Sequence, residues 1–553
     1  MPRCHLLLFA WLASLLLTTA SHGLVSDDLA ADSPSPFKLA IYAPNDLTMF
    51  VQIDDAAQLR RTLAERPIAR WIDAVLSDGQ ANLAWLALSD EAGIDANTLF
   101  DTCFGTSITI MLRTNGDQSQ WVLITQMDAT ASNALLTKLN AIVRGPRMNM
   151  AMMELPEHEL VLAKPNRKSP LGERVLIIGP KAQQGLFEQV LQRIDAPGQA
   201  SLAQHPAIER AARLGNGSIG LYLKHDAPMG GWSVVVGDVR QHELFMRHHA
   251  SFDHAPFTRS VSTMRIDPTP LRGFEQSALL AMIEPTDVGG GSLETFLQAG
   301  FEIDLLGAQM RRNVSQRRIV VVGEIEGRQE PHPVDIQATT VALCTELKNA
   351  AVAQRQFDRQ MVNVAHRLHA LGNGRFEIEV PCHRSFEPGQ PRSIDISPAA
   401  QWLAGTLPLA RPITLNWAVV ASTGDDADRH ASGWAIIATH PQQLADTVQA
   451  LQASDGDESA QRRVQSSGFA NGSRIGQHLR SWSDRAELFA APAQMDEFKN
   501  SLLMMSKLAS GIERVQWRMT RPDANTMCLD LSISLLPPES ASDGETSRDD
   551  HDR

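Results

Sequence analysis

Residues Ser107–Met127, SITIMLRTNGDQSQWVLITQM, carry the architecture of the chain in miniature. Two β-like runs, Ser107–Leu112 and Trp121–Met127, flank a TNGD turn. Asn115 and Gly116 both tolerate positive φ, so the pair predicts a tight hairpin. Leu135, Leu136, Leu139, Ile142 and Val143 then recur at helical spacing and predict an amphipathic helix. The local unit is a hairpin followed by one helix. A second copy runs Glu159–Ala163, Arg174–Ile178 and a helix presenting Leu186, Phe187, Val190, Leu191 and Ile194. A third runs Ile413–Ala421, Gly433–Ala438 and a helix with Leu444, Val448 and Leu451.

The second and third copies resemble each other. VLIIGPKAQQGLFEQVLQRI (175–194) and WAIIATHPQQLADTVQAL (434–451) share paired isoleucines, a nearby proline and a QQ before the first helical leucine. Pro180 and Pro441 are both expected in the first turn of a helix, where a missing N–H costs nothing. The C-terminal run reads as one more hairpin. Val515, Trp517 and Met519 alternate with Arg514, Gln516 and Arg518. After a Pro522-Asp523 turn, Met527, Leu529, Leu531, Ile533 and Leu535 alternate with Thr526, Cys528, Asp530, Ser532 and Ser534. Period two with one wet face predicts an antiparallel sheet.

Hairpins alternating with single helices predict an α+β fold: two related domains of antiparallel sheet, with helices packed on one face. At 553 residues the chain is long enough for two such domains, expected over 39–270 and 271–536. The boundary is expected at the proline-rich Asp267–Pro270 and the glycine run Gly289–Gly291. Residues 24–38 read as a flexible leader. The acidic segment 537–553 lacks the apolar surface needed to order itself.

Arg3, the apolar run Leu6–Leu17 and the small residues up to Gly23 follow the order of a secretory signal, expected over 1–23. A membrane-spanning helix needs ~20 apolar residues, more than this run supplies. Cys4 precedes the run, so cleavage removes it. The mature protein is therefore expected to be exported and soluble, in the periplasm or outside the cell, with no stable membrane span. Net charge is −13, which argues against a nucleic-acid partner held by a basic field. Cys103, Cys344, Cys382 and Cys528 would remain. None forms a CxxC, and four thiols allow three pairings that spacing does not separate.

Pro44-Asn45-Asp46, a strand ending Gln52-Ile53-Asp54 and a helix opening Ala56-Ala57-Gln58-Leu59 make a recognisable start. With Val175–Ile178, the helix to Ile194, Ser201–Pro206 and the strand Ile219–Leu223, the pattern resembles exported bacterial proteins that share a domain of unknown function. The resemblance covers about the first 230 residues well and the C-terminal third loosely. It implies export and this fold, and it brings no catalytic or ligand residues.

Several motifs invite a chemical reading. Gly215, Gly217 and Gly220 match GxGxxG, but a helix precedes them and a strand follows, the reverse of a dinucleotide site. They read as a helix C-cap and turn. His242, His248, His249 and His254, with Glu243 and Asp253, form the best candidate metal segment. Adjacent His248 and His249 would point to opposite faces of a strand, so solvated strand or loop histidines are the favoured reading over a metal site. His366 and His369 could share a helix face, without a third ligand.

Met148, Met150, Met152 and Met153 could hold Cu(I), but their alternation makes one apolar strand face, and filling an irregular core is the favoured reading. Ser35–Lys38 matches SxxK within the leader, and Asp54-Asp55 and Asp425-Asp426 sit at expected strand ends or turns. No P-loop, EF-hand loop or GxSxG occurs. No residue qualifies as catalytic, cofactor-binding or metal-ligating, and no cofactor is indicated. The reading is an exported non-catalytic binding or assembly module with an unidentified protein or cell-envelope partner. The alternatives are an exported hydrolase or metal-dependent enzyme with its site near residues 242–254, and a Met-rich copper-binding protein.

Overall fold

A computed structural model of the protein describes residues 36–64 and 89–537, apart from internal stretches of which the longest are 255–265, 287–304, 325–338, 382–391, 400–413, 422–431, 455–463 and 485–494. It is a mixed α and β structure dominated by antiparallel pairing. Ten strands come first: β1 (Met49–Asp54), β2 (Ser107–Asn115), β3 (Gln118–Gln126), β4 (Ile142–Arg147), β5 (Met150–Leu155), β6 (Leu160–Pro165), β7 (Val175–Pro180), β8 (Ile219–Lys224), β9 (Trp232–Arg240) and β10 (Glu243–Ser251). Eight more are β11 (Leu280–Pro285), β12 (Val314–Glu324), β13 (Thr339–Leu347), β14 (Ser393–Asp395), β15 (Thr414–Ala421), β16 (Gly433–Ala438), β17 (Ser466–Asn471) and β18 (Ile512–Asp523). The last is β19 (Thr526–Leu535).

The helices are α1 (Ala56–Ala64), α2 (Ala96–Phe104), α3 (Ala129–Lys138), α4 (Gly185–Asp195), α5 (Pro206–Leu214), α6 (Gly307–Asn313), α7 (Ala353–Gly372), α8 (Pro441–Ser454), α9 (Gly472–Ser483) and α10 (Met495–Ser510). Short 3₁₀ turns at Lys38–Tyr42 and Thr269–Phe274 precede β1 and β11.

Contacts divide the described residues into two compact units. One takes those within Val25–Pro256 and Asn525–Arg553, the other those within Phe257–Ala524. In the first unit the pairing order is β4-β5-β6-β7-β3-β2-β1-β8-β9-β10-β19. In the second it is β14-β15-β16-β13-β12-β11-β17-β18. The C-terminal run does form two strands, but the expected hairpin is divided between the two units: β18 pairs with β17, and β19 with β10. In β18 only Trp517 is buried, and in β19 Ser532 is buried beside Leu531 and Ile533. The Asp267–Pro270 segment lies inside the second unit, where Thr269 and Pro270 are buried in the 3₁₀ turn.

The expectation of helices on a single sheet face is corrected. In the first unit Val161, Ala163, Val175 and Ile177 pack with Phe187, Val190 and Ile194 of α4. The intervening Leu162 and Leu176 pack with Leu99 of α2 and Leu135 and Leu136 of α3. In the second unit Ala342, Cys344, Trp434 and Ile436 pack with Phe274, Ala450 and Leu451, whereas Leu343, Ala435 and Ile437 pack with Phe357, Met361 and Ala365 of α7. The physical reason is visible in the strands. VLII and GWAIIA are unbroken apolar runs, as two covered faces require, rather than alternating ones.

Three local expectations also change. Ile142 and Val143 leave the helix: α3 stops at Lys138, Asn140 takes φ +50, and both residues lie exposed in the edge strand β4. Pro146 and a register shift at Val143/Gly145 keep that edge from extending. Pro441 does begin α8, but Pro180 ends β7, and α4 starts at Gly185. Phe37, placed in the leader by sequence, is instead buried and stacks on Phe50 with ring centroids 5.8 Å apart; residues 24–35 lie outside the described residues.

Candidate functional site

The histidine segment forms most of β10, between β9 and β19. Strand alternation places His248 beside Ser233 on one face and His249 beside Trp232 on the other. His225, just after β8, comes to the first face. The Ser233 hydroxyl lies 2.6 Å from His225 Nε2 and 3.0 Å from His248 Nε2. A hydroxyl has one proton, so it donates to one imidazole and accepts from the other. His248 Nδ1 is buried with no hydrogen-bond partner. An unprotonated nitrogen there costs less than an orphaned N–H, so His248 Nε2–H donates to Ser233 and Ser233 donates to His225. Burial pushes the His248 imidazole down to about 4, and the neighbouring His225 and His249 add to the shift.

Ser233 is 4% exposed, and the backbone of β9 around it is committed to ladders with β8 and β10. On the opposite face His249 Nδ1 accepts from Arg210 Nε at 3.2 Å and lies 3.2 Å from Cys528 Sγ. Its ring stacks on Trp232, which meets His205 edge-on. Arg210 fills the nitrogen that would take the thiol proton, so Cys528 and His249 do not make a nucleophile–base pair. Of the other segment histidines, His254 is exposed and His242 lies outside the described residues. Among the described residues no group of three His, Cys, Asp or Glu stands close enough to hold a metal ion.

A second cluster, in the second unit, involves residues that the sequence did not single out. Glu324 and Thr339 are directly opposed in the β12–β13 ladder. Arg474 and His478, one turn apart on α9, reach them. Arg474 donates through Nε and a terminal nitrogen to Glu324 Oε1 at 3.0 and 2.7 Å. Thr339 Oγ1 is 2.8 Å from His478 Nε2, while His478 Nδ1 is 3.8 Å from Glu324 Oε2. Burial pushes the His478 imidazole below its ordinary value, and Glu324 opposes that shift. The order hydroxyl, imidazole, carboxylate is that of an acid–base triad with its third contact open. The four-residue spacing of Arg474 and His478 was visible, but their partners lie more than a hundred residues away.

The remaining candidates disperse. Met150 lies in the core under α4 and Met153 in the opposite core under α3; Met152 packs beside Met150, and Met148 is outside the described residues. Gly215 caps α5 at φ +114 before β8, as a C-cap and turn. His366 is exposed, and His369 Nδ1 is 3.1 Å from the Ile378 carbonyl. Asp55 caps α1 through Gln58 N, and Lys38 pairs with Asp54 at 2.9 Å; Ser35, Asp425 and Asp426 lie outside the described residues. Cys103 and Cys344 are buried free thiols and Cys528 is partly exposed beside His249; Cys382 is outside the described residues. Burial pushes the Cys103 thiol up to about 12 and that of Cys344 further still.

No known protein family and no curated protein matches the chain. Among solved structures it is similar to crystal forms of TP0453. Form I has 11% identity and a TM-score of 0.26 over 41% of this chain and 82% of that one. Form III has 10% identity and a TM-score of 0.27 over 45% and 89%. Likeness at this level assigns neither fold nor activity. Among the described residues no helix is long and apolar enough to cross a membrane.

Proposed function

We propose that this protein is an exported, internally duplicated binding or assembly module that works without catalysis, on a protein or cell-envelope partner. The observation that carries the reading is the strand order. Removing β4, β10 and β19 leaves β5-β6-β7-β3-β2-β1-β8-β9 in one unit, and β14-β15-β16-β13-β12-β11-β17-β18 in the other. Numbered within each unit, these are the same permutation. The helices repeat as well: α3 and α7 follow the third strand, and α4 and α8 follow the penultimate hairpin. Eight strands in a shared non-sequential order support descent from one ancestral unit. The histidine cluster of β10 supports a non-catalytic role, since Ser233 is buried and His249 is held by Arg210.

Export is tested by sequencing the N-terminus of the protein from its native host. A start between residues 19 and 26 in an exported fraction is expected, and an intact Met1 in the cytosol would remove the proposal's location. The second reading is an exported hydrolase, favoured by the Thr339–His478–Glu324 arrangement alone. Turnover of aryl esters that is lost in Thr339→Ala and His478→Gln but kept in Ser233→Ala would establish it over the first.

A further inference from the structure

The last strand closes a sheet that begins nearly five hundred residues earlier, and its register has a particular symmetry. The first copy ends in two strands, β9 and β10, separated by Gln241 and His242. The second ends in β18 and β19, separated by Ala524 and Asn525. Aligning the two connections sets Arg240 with Asp523 and Glu243 with Thr526, so Arg247 corresponds to Asp530. In the observed antiparallel ladder Arg247 faces Asp530. The pairs on either side, Met246–Leu531 and His248–Leu529, exchange when the two strands are swapped. The ladder is therefore self-complementary about its centre, the pattern of an isologous contact between equivalent surfaces.

We infer that the β10 edge is an interface for a second copy of the same strand, and that β19 is that copy carried within the chain. The inference rests on the duplication reading above. One side, largely apolar, suits self-pairing: Met246, Ala250, Leu529, Leu531 and Ile533 are all buried, Met246 faces Leu531 and Leu244 faces Ile533, with His248 among them opposite Leu529. The centre sets partner choice. An Arg247–Asp530 pair is favourable, whereas two β10 strands would oppose Arg247 to Arg247, which costs affinity and favours the internal strand. An uncovered β10 would present free ladder groups and recruit a second chain.

The test uses the full chain with Leu531→Pro, which removes a ladder N–H and is incompatible with a strand interior. Deletion of Asn525–Arg553 serves as a second way to vacate the edge if the proline variant keeps β19 docked. Either variant is expected to become a concentration-dependent dimer by light scattering. Adding Arg247→Cys should give a 247–247 disulfide in that background and none with β19 intact. Mixing chains carrying Arg247 with chains carrying Arg247→Asp should yield heterodimers above their statistical share. A monomer, an aggregate without the 247–247 link, or cross-linking in another register would overturn the inference. If an experimental structure still superposes the two units strand for strand, that failure sinks the self-pairing edge and leaves the duplication standing.

Discussion

His248 shows how a residue can be placed in a strand by sequence while its surroundings are not: a solvated side chain is the expected reading, yet its Nδ1 is buried. Its strand and the opposed faces of His248 and His249 follow from alternation. Its partner His225 lies beyond β8 and was not in the histidine segment at all. Burial, reinforced by the neighbouring His225 and His249, favours the neutral imidazole of His248, and this has a pH consequence. The folded value near 4 lies below the ordinary 6.5, so below that ordinary value the unfolded chain binds the proton first. Stability is then full above about pH 6.5 and falls as pH drops towards 4, by on the order of 3 kcal/mol. His205 and His478, also shifted down by burial, act in the same direction. Urea midpoints measured across this window should decline steeply in the native protein and less steeply in His248→Gln.

Asp358 makes the complementary point for a buried anion. On α7 its Oδ1 accepts from Trp417 Nε1 at 3.0 Å, Gln354 Nε2 at 2.8 Å and Arg392 Nε at 3.0 Å. Asp358→Ala would leave those donors, one of them charged, without their acceptor in a core of apolar side chains. A loss of about 3 kcal/mol is expected in denaturant titration, with Asp358→Asn closer to native.

Elements were legible where their signal is local. The hairpin β2–β3, the helices α4, α5 and α8, and strands β8, β15, β18 and β19 all follow from periodicity and turn residues within a dozen positions. What failed was the placing of elements against each other. Nothing in VLII says that its two faces meet different helices, and Pro180 has the neighbours of a helix start while continuing the β6–β7 ladder. The pairings β3–β7, β1–β8 and β11–β17 join segments far apart in sequence, with no turn to announce them. The methionine run is a case where the element decides the chemistry. In β5, Met150 and Met153 point into opposite cores, so Met150→Ala is expected to cost about 2–4 kcal/mol by leaving a cavity. Cu(I) titration of the same variant should match the native protein. Reduced copper uptake with unchanged stability would reverse the assignment.

At the scale of the whole molecule, the order of the chain and the order of the cores disagree, and β19 is where they part. It follows β18 by two residues, yet its ladder partner β10 lies in the other unit from β18. Phe187 is fully buried in the first unit's core and Phe357 in the second's, so truncating either should cost about 3–5 kcal/mol in its own unit. Hydrogen exchange resolves such local losses because opening free energies differ between cooperative parts of one chain. Phe187→Ala should accelerate exchange in β6, β7, β10 and, despite its place in the sequence, β19, while β15 and β16 stay protected. Phe357→Ala should do the reverse, opening β13, β15 and β16 and sparing β19. If β19 instead loses protection together with β18 in Phe357→Ala, the last strand takes its stability from its sequence neighbours, and the division of the chain would have to be redrawn at Pro256 alone.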